Sequence, residues 1–323
     1  MAYVEIAGVA SSLPEKVITN FDMEKLVETS DEWIQKRTGI RERRVATHET
    51  TTGMAVDAAQ QAMEKAGVSL VDIGLIVACT ITGDYVTPSM ASHVQRELGI
   101  EHCAAMDISA GCTGFVYALV TASSLMDTIG AKTALVIASE SLSRVTDWTD
   151  RTSCVLFGDG AGAIVLKKSE AEHVDCAVLS GSPDTDDVLS CKWDERETPF
   201  TGEKERKREY LKMKGKEVFT YAVGAIEDVL KKLLAKCGDK PFTKIIPHQA
   251  NVKIIDYIIR NMHFDPNQFY INIDRYANTS SATIPIAMAE AAQNGWLRKG
   301  DRVALVGFGS GLTCGGVVID WTI

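Results

Sequence analysis

The sequence is poor in the features that mark disulfide-stabilised, metal-clustered or membrane-spanning proteins. Its 323 residues include eight cysteines, and no two of them form a CxxC pair. That count is too low for a disulfide scaffold, and neither paired CxxC nor HExxH is present to hold zinc. No apolar run reaches the roughly 18 residues of a membrane span, and residues 1–14 are typical of a strand and turn. We therefore expect a cytoplasmic protein with reduced cysteines, no metal and no membrane association.

Basic residues are also in the minority. Lys and Arg number 34 against 43 Asp and Glu, which gives a formal net charge of −9. An acidic protein is poorly suited to binding the phosphate backbone of a nucleic acid as its main task. The nucleotide-binding patterns GxxxxGK[ST] and GxGxxG after a first strand are absent as well. With 46% hydrophobic and 24% charged residues, the composition is that of an ordinary globular protein.

Short apolar runs alternate with longer helical stretches along the whole chain, which indicates an α/β fold built of layers. The predicted strands are 75–78, 134–138, 161–166, 244–246 and 303–306. The predicted helices are 88–98, 113–129, 218–235, 252–262 and 283–294. Residues 184–217 interrupt this order with a run of mixed charge. We interpret that run as a surface excursion, because glutamates alternate with its basic residues.

A repeated spacing predicts that the chain is a duplication. Cys112 and Ser281 each begin a predicted helix, 169 residues apart, and each follows an apolar strand by 35 to 36 residues. The strands after the two helices begin 170 residues apart, at Ala134 and Ala304. Two similar halves, 1–170 and 171–323, would each lack a complete core alone. Chance spacing of common strand–helix units is the alternative.

Cys112 is the strongest candidate nucleophile. It follows a predicted strand and opens a helix that is apolar on most faces, so that helix is expected to be buried. The unpaired N–H groups and the dipole of a helix N-terminus favour a thiolate, and Gly111 and Gly114 leave room for a substrate. The other seven cysteines are read as small buried residues.

Two further residues, His248 and Asn278, lie at positions in the predicted fold where catalytic side chains are common. His248 comes directly after a strand and before a helix, at the sheet edge where open α/β proteins bind ligands. Asn278 precedes the second member of the repeated helix pair, so the duplication would bring it to face Cys112. An N-cap or turn asparagine is the simpler interpretation of Asn278 alone. The glycine loop 307–311 matches neither a nucleotide loop nor a serine-nucleophile elbow.

Together these motifs resemble β-ketoacyl-acyl-carrier-protein synthase III. The resemblance rests on Cys112 in SAGCTGF, His248 in IPHQAN and Asn278 in YANTSSATIP, and it covers nearly the whole chain. It implies the thiolase fold, a duplicated five-layer αβαβα arrangement.

The resemblance also implies a decarboxylating Claisen condensation without metal or organic cofactor. Cys112 would take an acyl group from acyl-CoA, and His248 and Asn278 would bind the thioester carbonyl of malonyl-acyl-carrier protein. The backbone amides of Cys112 and Ser310 would form the oxyanion hole for the acyl step. The alternatives are a thiolase-fold enzyme of a secondary-metabolite pathway and a non-catalytic acyl-binding subunit.

Substrate contacts follow from the same resemblance. The residues expected to bind CoA and its pantetheine arm are Trp33, Arg37, Arg151, Met213, Gly215, Phe219 and Asn251. Lys253 and Arg260 would share one helix face that docks the acidic acyl-carrier protein. A homodimer is implied, in which Thr87 reaches the acyl pocket of the partner. The chain departs from the family pattern at Ala277, where glycine is usual, at Cys314 for tryptophan, at Lys253 for arginine, and at Thr87, where a bulky aromatic is common.

Overall fold

The structure is a computed structural model that describes residues 3–171, 173–192, 199–200 and 209–323. The charged run 204–208, part of the predicted surface excursion, lies outside the described residues. The helices are α1 (Asn20–Met23), α2 (Asp31–Thr38), α3 (Thr51–Ala66), α4 (Met90–Leu98), α5 (Gly114–Ile129), α6 (Gly215–Cys237), α7 (Val252–Asn261), α8 (Ile273–Tyr276) and α9 (Thr283–Gln293). The strands are β1 (Val4–Ser12), β2 (Val17–Thr19), β3 (Glu42–Arg44), β4 (Leu75–Cys79), β5 (Ala104–Ile108), β6 (Thr133–Ser141), β7 (Asp159–Lys168), β8 (Val174–Gly181), β9 (Leu189–Ser190), β10 (Lys212–Met213), β11 (Lys244–Pro247), β12 (Arg302–Gly309) and β13 (Thr313–Asp320).

The predicted elements are present, with bounds shifted by local chemistry. Helix α4 begins at Met90 rather than at residue 88, because the Ser89 hydroxyl accepts from Ser92 N at 3.1 Å and caps the helix. Strand β6 continues past the apolar run to Ser141, since its buried polar side chains find hydrogen-bond partners. Helix α6 begins at Gly215, three residues before the predicted start.

Two large sheets form the frame. The first has the order β1-β7-β6-β4-β5, with β6, β4 and β5 parallel, and the second has the order β11-β12-β13-β8. Apolar side chains of α5 and α9 form one core between the two sheets. Helices α3 and α4 cover the outer face of the first sheet, and α6 and α7 cover the outer face of the second. The predicted five-layer αβαβα arrangement is confirmed.

The two central helices begin side by side in matching ways. Each is preceded by one 3₁₀ turn, Gly111–Thr113 before α5 and Ser280–Ala282 before α9. A Cβ added to Gly114 would lie 3.4 Å from the Cβ of Ser281, so the two helix starts touch. Cys112 and Ser281 therefore lie within these 3₁₀ turns rather than in the α-helices themselves. The domain boundary at 170/171 stays a prediction, because the central helices give both halves a shared core.

One helix in the described residues, Gly111–Ile129, is long and apolar enough to cross a membrane. Half of it is buried inside the protein, where Phe115, Leu119 and Met126 are fully enclosed in the core between the sheets. Core helices commonly have this composition, and the position of this one agrees with such a role.

Candidate active site

A cavity of about 380 Å³ opens where β5, β11 and β12 end and α5, α7 and α9 begin. Its wall brings together the three residues proposed for chemistry, Cys112, His248 and Asn278. The predicted oxyanion and substrate residues Ser310, Trp33, Arg37, Arg151, Met213, Gly215, Phe219 and Asn251 also line it. These residues come from both halves of the chain, so the site exists only in the folded duplication.

Two predicted site residues lie outside this wall. Arg260 is exposed on α7, on the same outward side as Lys253, and Lys253 does line the cavity. Thr87 is exposed in the loop before α4 and does not line the cavity of its own chain. A role for Thr87 in an acyl pocket thus requires a second chain, and it stays a prediction.

Cys112 lies in the 3₁₀ turn before α5 and is partly exposed toward the cavity. Burial raises the pKa of its thiol to about 12, and the nearby Glu140 carboxylate raises it further, while contact with the Ser280 hydroxyl lowers it. The helix N-terminus favours a thiolate, but loss of water around the sulfur has the larger effect and raises the pKa of the thiol above its usual value.

The backbone of the glycine loop lies directly against the nucleophile. A Cβ on Gly309 would come within 2.5 Å of Cys112 N, and a Cβ on Gly111 within 2.9 Å of Ser310 N. Gly111 also has φ of +52°, a conformation that glycine adopts without strain. The two glycines thus let the amides of Cys112 and Ser310 approach each other, as an oxyanion hole requires.

His248 is held as a neutral ring. Its backbone N donates to Val306 O at 2.8 Å, and its Nδ1 lies 2.7 Å from the Thr283 hydroxyl. The ring also packs edge-on against Phe308, with centroids 5.3 Å apart. Burial lowers the pKa of His248 to about 3. With Nδ1 engaged by Thr283, Nε2 remains for the cavity.

Asn278 is fixed by backbone and side chain together. Its backbone N donates to Leu156 O at 3.0 Å, and Gly158 N donates to the carbonyl of Asn278 at 3.0 Å. Its side-chain Oδ1 accepts from Ser280 N at 2.8 Å. The amide orientation is thereby set, and Nδ2 is the donor left for a ligand. The contact with 156–158 was not expected from the sequence, because it joins residues more than 110 positions apart.

A buried carboxylate beneath the site was missed by the sequence analysis. Glu140 is fully buried on β6, and it accepts from Thr82 Oγ1 at 2.6 Å, Ile81 N at 3.0 Å and Ser281 Oγ at 2.8 Å. Burial raises the pKa of the Glu140 carboxyl, and these hydrogen bonds lower it. The polar triplet Ser139-Glu140-Ser141 at the end of an apolar strand is the signal that could have indicated it.

The cavity is apolar at one end and basic at its mouth. One part of its wall is a cluster of packed apolar side chains, Ile81, Leu142, Phe157, Leu189 and Leu211. At the mouth, the guanidinium of Arg151 lies 4.9 Å from the ring centre of Trp33 and that of Arg37 lies 5.9 Å from it. Ser30 caps α2 by accepting from Trp33 N at 3.2 Å, which places that ring on the first turn. The shape suits a ligand with an apolar tail and an anionic head.

Comparison with known proteins identifies one family. The family described as 3-oxoacyl-[acyl-carrier-protein (ACP)] synthase III matches residues 106–182, and its C-terminal counterpart matches residues 235–321. A beta-ketoacyl-[acyl-carrier-protein] synthase III of Clostridium acetobutylicum is 42% identical over the full length of both chains. One from Clostridium beijerinckii is 41% identical over 99% of this chain and all of its own.

Solved structures show the same likeness. The 3-oxoacyl-[acyl-carrier-protein] synthase III of Aquifex aeolicus superposes with a TM-score of 0.90 at 40% identity, covering 98% of this chain and 100% of that one. A priming beta-ketosynthase from the R1128 polyketide biosynthetic pathway has a TM-score of 0.92 at 31% identity, covering 99% and 97% of the two chains.

Proposed function

Because the chain belongs to the 3-oxoacyl-[acyl-carrier-protein] synthase III family, we propose that its cavity performs the initiating condensation of fatty-acid synthesis. An acyl-CoA primer and malonyl-acyl-carrier protein react, CO₂ is released, and 3-oxoacyl-acyl-carrier protein and CoA are formed. The observation that carries the proposal is the convergence of Cys112, His248 and Asn278 on one cavity with an apolar end and a basic mouth.

The first half-reaction moves the acyl group to Cys112. Its sulfur bonds to the acyl carbon, the carbon–sulfur bond to CoA breaks, and CoA leaves as the thiol with the proton that Cys112 gave up. The amides of Cys112 and Ser310 face the oxygen that becomes negative in the tetrahedral intermediate. The apolar wall around Leu142 and Phe157 accepts the acyl tail.

The second half-reaction needs two hydrogen-bond donors. Nε2 of His248 and Nδ2 of Asn278 donate to the malonyl thioester carbonyl, which becomes an enolate as CO₂ leaves. The carbanion then attacks the acyl carbon on Cys112, and the Cys112 sulfur departs as a thiolate that takes one proton from solvent to restore the thiol. A ring with a pKa near 3 suits this role, because it donates a hydrogen bond without carrying a charge. Loss of CO₂ drives the step, so the sequence of steps uses no metal or organic cofactor.

The mouth of the cavity is suited to CoA and to the carrier protein in turn. Trp33 offers a ring for the adenine, and Arg37 and Arg151 offer cations for the phosphates. The pantetheine arm would run along Met213, Gly215, Phe219 and Asn251, which line the passage to Cys112. Such an arm is common to CoA and to acyl-carrier protein, so one passage serves both substrates.

We place the carrier-protein dock on α7. Asn251 caps this helix by accepting from Lys253 N at 2.9 Å, so the helix starts at the cavity mouth. Lys253 and Arg260 are both exposed on its outer side. In a protein of net charge −9, a local basic face favours an acidic partner and steers its approach.

We further propose a cytoplasmic homodimer. Strand β5 is the end strand of the first sheet, and its apolar residues Ala105, Met106 and Ile108 remain only half-buried. On α5, Leu125 is likewise half-buried and Ile129 is exposed. A second copy that pairs along β5 would extend the sheet and cover these residues. Sedimentation should give a dimer, and a 35 kDa monomer at micromolar concentration would contradict this.

Release of CO₂ from carboxyl-labelled malonyl-acyl-carrier protein tests the function. We expect release that depends on added acyl-CoA and yields 3-oxoacyl-acyl-carrier protein, with an acyl group on Cys112 alone after acyl-CoA is supplied by itself. Cys112→Ala is the control and should not be acylated. Acyl transfer to an acceptor other than malonyl-acyl-carrier protein would favour a secondary-metabolite enzyme, and binding without turnover would favour a non-catalytic subunit. Identity is 42% to the beta-ketoacyl-[acyl-carrier-protein] synthase III of Clostridium acetobutylicum and 31% to the R1128 priming ketosynthase, which supports the initiating condensation over the secondary-metabolite alternative.

A further inference from the structure

Ser280 carries a buried hydroxyl that forms no hydrogen bond of ordinary geometry with the residues that the structure describes. The residue is 1% exposed, and it is among the residues that line the cavity containing Cys112. A buried donor left unpaired lowers stability, so native proteins rarely retain one without a reason. A partner that forms only during a reaction is such a reason.

The backbone around Ser280 is held in an unusual conformation. Its N–H donates to Asn278 Oδ1 at 2.8 Å. Its φ of +52° lies in the left-handed region, which side chains other than glycine adopt at a cost. The turn thus maintains a costly conformation, and it packs against the Gly111–Thr113 turn that contains Cys112.

The groups around the Cys112 sulfur indicate a role for the Ser280 hydroxyl, because most of them disfavour negative charge on the sulfur. Glu140, from β6 below, raises the pKa of the Cys112 thiol beyond the larger effect of burial, whereas contact with Ser280 lowers it. His248, from the loop after β11, is neutral, with a pKa near 3. The Ser280 hydroxyl also lowers the pKa of the Glu140 carboxyl. Charge on the sulfur therefore has few stabilising neighbours.

We propose that Ser280 is a catalytic residue of the acylation half-reaction, whose Oγ–H donates a hydrogen bond to the Cys112 sulfur as negative charge develops there. The hydroxyl keeps its proton throughout. The Cys112 proton leaves with the departing CoA thiol, as in the acylation step above, and the bonds formed and broken are unchanged. This assignment rests on the proposed function for its substrate, acyl-CoA, but its effect on the sulfur itself is independent of the substrate.

Alkylation of Cys112 by iodoacetamide measures that effect directly. The second-order rate would be followed between pH 7 and 9 by mass spectrometry of the peptide carrying Cys112, which separates it from the exposed Cys191. For Ser280→Ala we expect the rate profile to move up by about one pH unit, which is about a tenfold slower reaction at fixed pH. Thermal unfolding should show equal or greater stability, because an unpaired donor has been removed.

Thr279→Val is the matched control. Thr279 is also 1% exposed and also has an unpartnered hydroxyl among the described residues, but it does not line the cavity. Its loss should leave the alkylation rate at the wild-type value. Should Ser280→Ala fold poorly, Ser280→Gly removes the same hydroxyl and suits the positive φ. A wild-type alkylation rate in a folded Ser280 variant, or equal slowing in Thr279→Val, would overturn the proposal.

The same experiment separates this inference from the proposed function. Iodoacetamide requires neither acyl-CoA nor malonyl-acyl-carrier protein, so the shift is measurable even in a protein that does not condense them. If condensation occurs and the Ser280 variants acylate at the wild-type rate from acyl-CoA, the catalytic role is refuted while the proposed function stands.

Discussion

The position of a missing Cβ on Gly309 lies 2.5 Å from the backbone nitrogen of Cys112. No real Cβ tolerates that distance to a backbone atom, so any side chain at residue 309 must push the glycine loop off the nucleophile turn. Gly307, two residues earlier, offers ordinary contacts of 3.6 Å or more for an added Cβ. The pair provides a test of the oxyanion hole.

We expect Gly309→Ala to slow acylation of Cys112 by about 10²-fold or more, the usual effect of losing one oxyanion-hole donor. Gly307→Ala should acylate at nearly the wild-type rate. Single-turnover acylation from acyl-CoA, followed by mass spectrometry, measures both variants. Equal rates for the two would show that the close approach of Gly309 has no part in catalysis.

His248 and Asn278 should be dispensable for the first half-reaction and necessary for the second. Their alanine variants are expected to acylate Cys112 but to lose CO₂ release from malonyl-acyl-carrier protein, because each supplies a donor to the enolate. Intact protein mass and labelled CO₂ report the two half-reactions separately. Variants that release CO₂ but fail to acylate would reverse these roles.

The pH dependence of the two half-reactions should differ. With a His248 pKa near 3, the ring is neutral at all pH values above about 4, so CO₂ release from the pre-acylated enzyme should be flat between pH 5 and 8. Acylation should increase with pH across that range, because the Cys112 thiol has a pKa near 12 and its thiolate fraction grows tenfold per unit. An inflection of CO₂ release near pH 6.5, absent in His248→Gln, would mean that the ring titrates normally.

Ala277 holds a conformation that suits glycine. Its φ of +55° and ψ of −155° lie where L-residues are strained, and it is buried next to Asn278. Such strain costs on the order of 1–3 kcal/mol, so Ala277→Gly should raise the free energy of unfolding by part of that amount. Ala291→Gly, inside α9, should instead lower it by about 1 kcal/mol. Calorimetry of both variants measures the change in the free energy of unfolding. A lower free energy of unfolding for Ala277→Gly than for the wild type would show that Ala277 is not strained.

If the homodimer forms, Thr87 should affect which acyl-chain lengths the enzyme accepts as primer. A small residue in place of an aromatic leaves room for longer or branched chains, and each added CH₂ contributes about 0.8 kcal/mol, or roughly fourfold in affinity. We expect kcat/KM for butyryl- and hexanoyl-CoA to rival that for acetyl-CoA, and Thr87→Phe to restore acetyl preference. The exposed neighbour Val86, as Val86→Phe, is the control. An unchanged acyl preference in Thr87→Phe would remove Thr87 from the pocket.

Much of the fold was predictable because short stretches of sequence indicate where strands lie and where helices end. Each such stretch spans only a few consecutive residues. Examples are the apolar runs of β4, β6 and β11 and the glycines that follow the ends of α5 and α9, Gly130 and Gly295. The repeat of 169 to 170 residues then indicated that two such sets share one core. Strand ends such as Ser139-Glu140-Ser141 were missed, since polar residues continue a strand only when distant partners satisfy them.

The sequence by itself determined which residue types stand at the ends of strands and the starts of helices, and so it identified Cys112, His248 and Asn278. Only the tertiary structure decided their chemical state. The raised pKa of the Cys112 thiol, the lowered pKa of the His248 ring and the Ser280 hydroxyl, which has no partner of ordinary geometry among the described residues, all follow from burial and from contacts across the two halves. Desolvation depends on everything packed around a group, and for Cys112 it outweighed the local helix dipole that the sequence pattern had indicated.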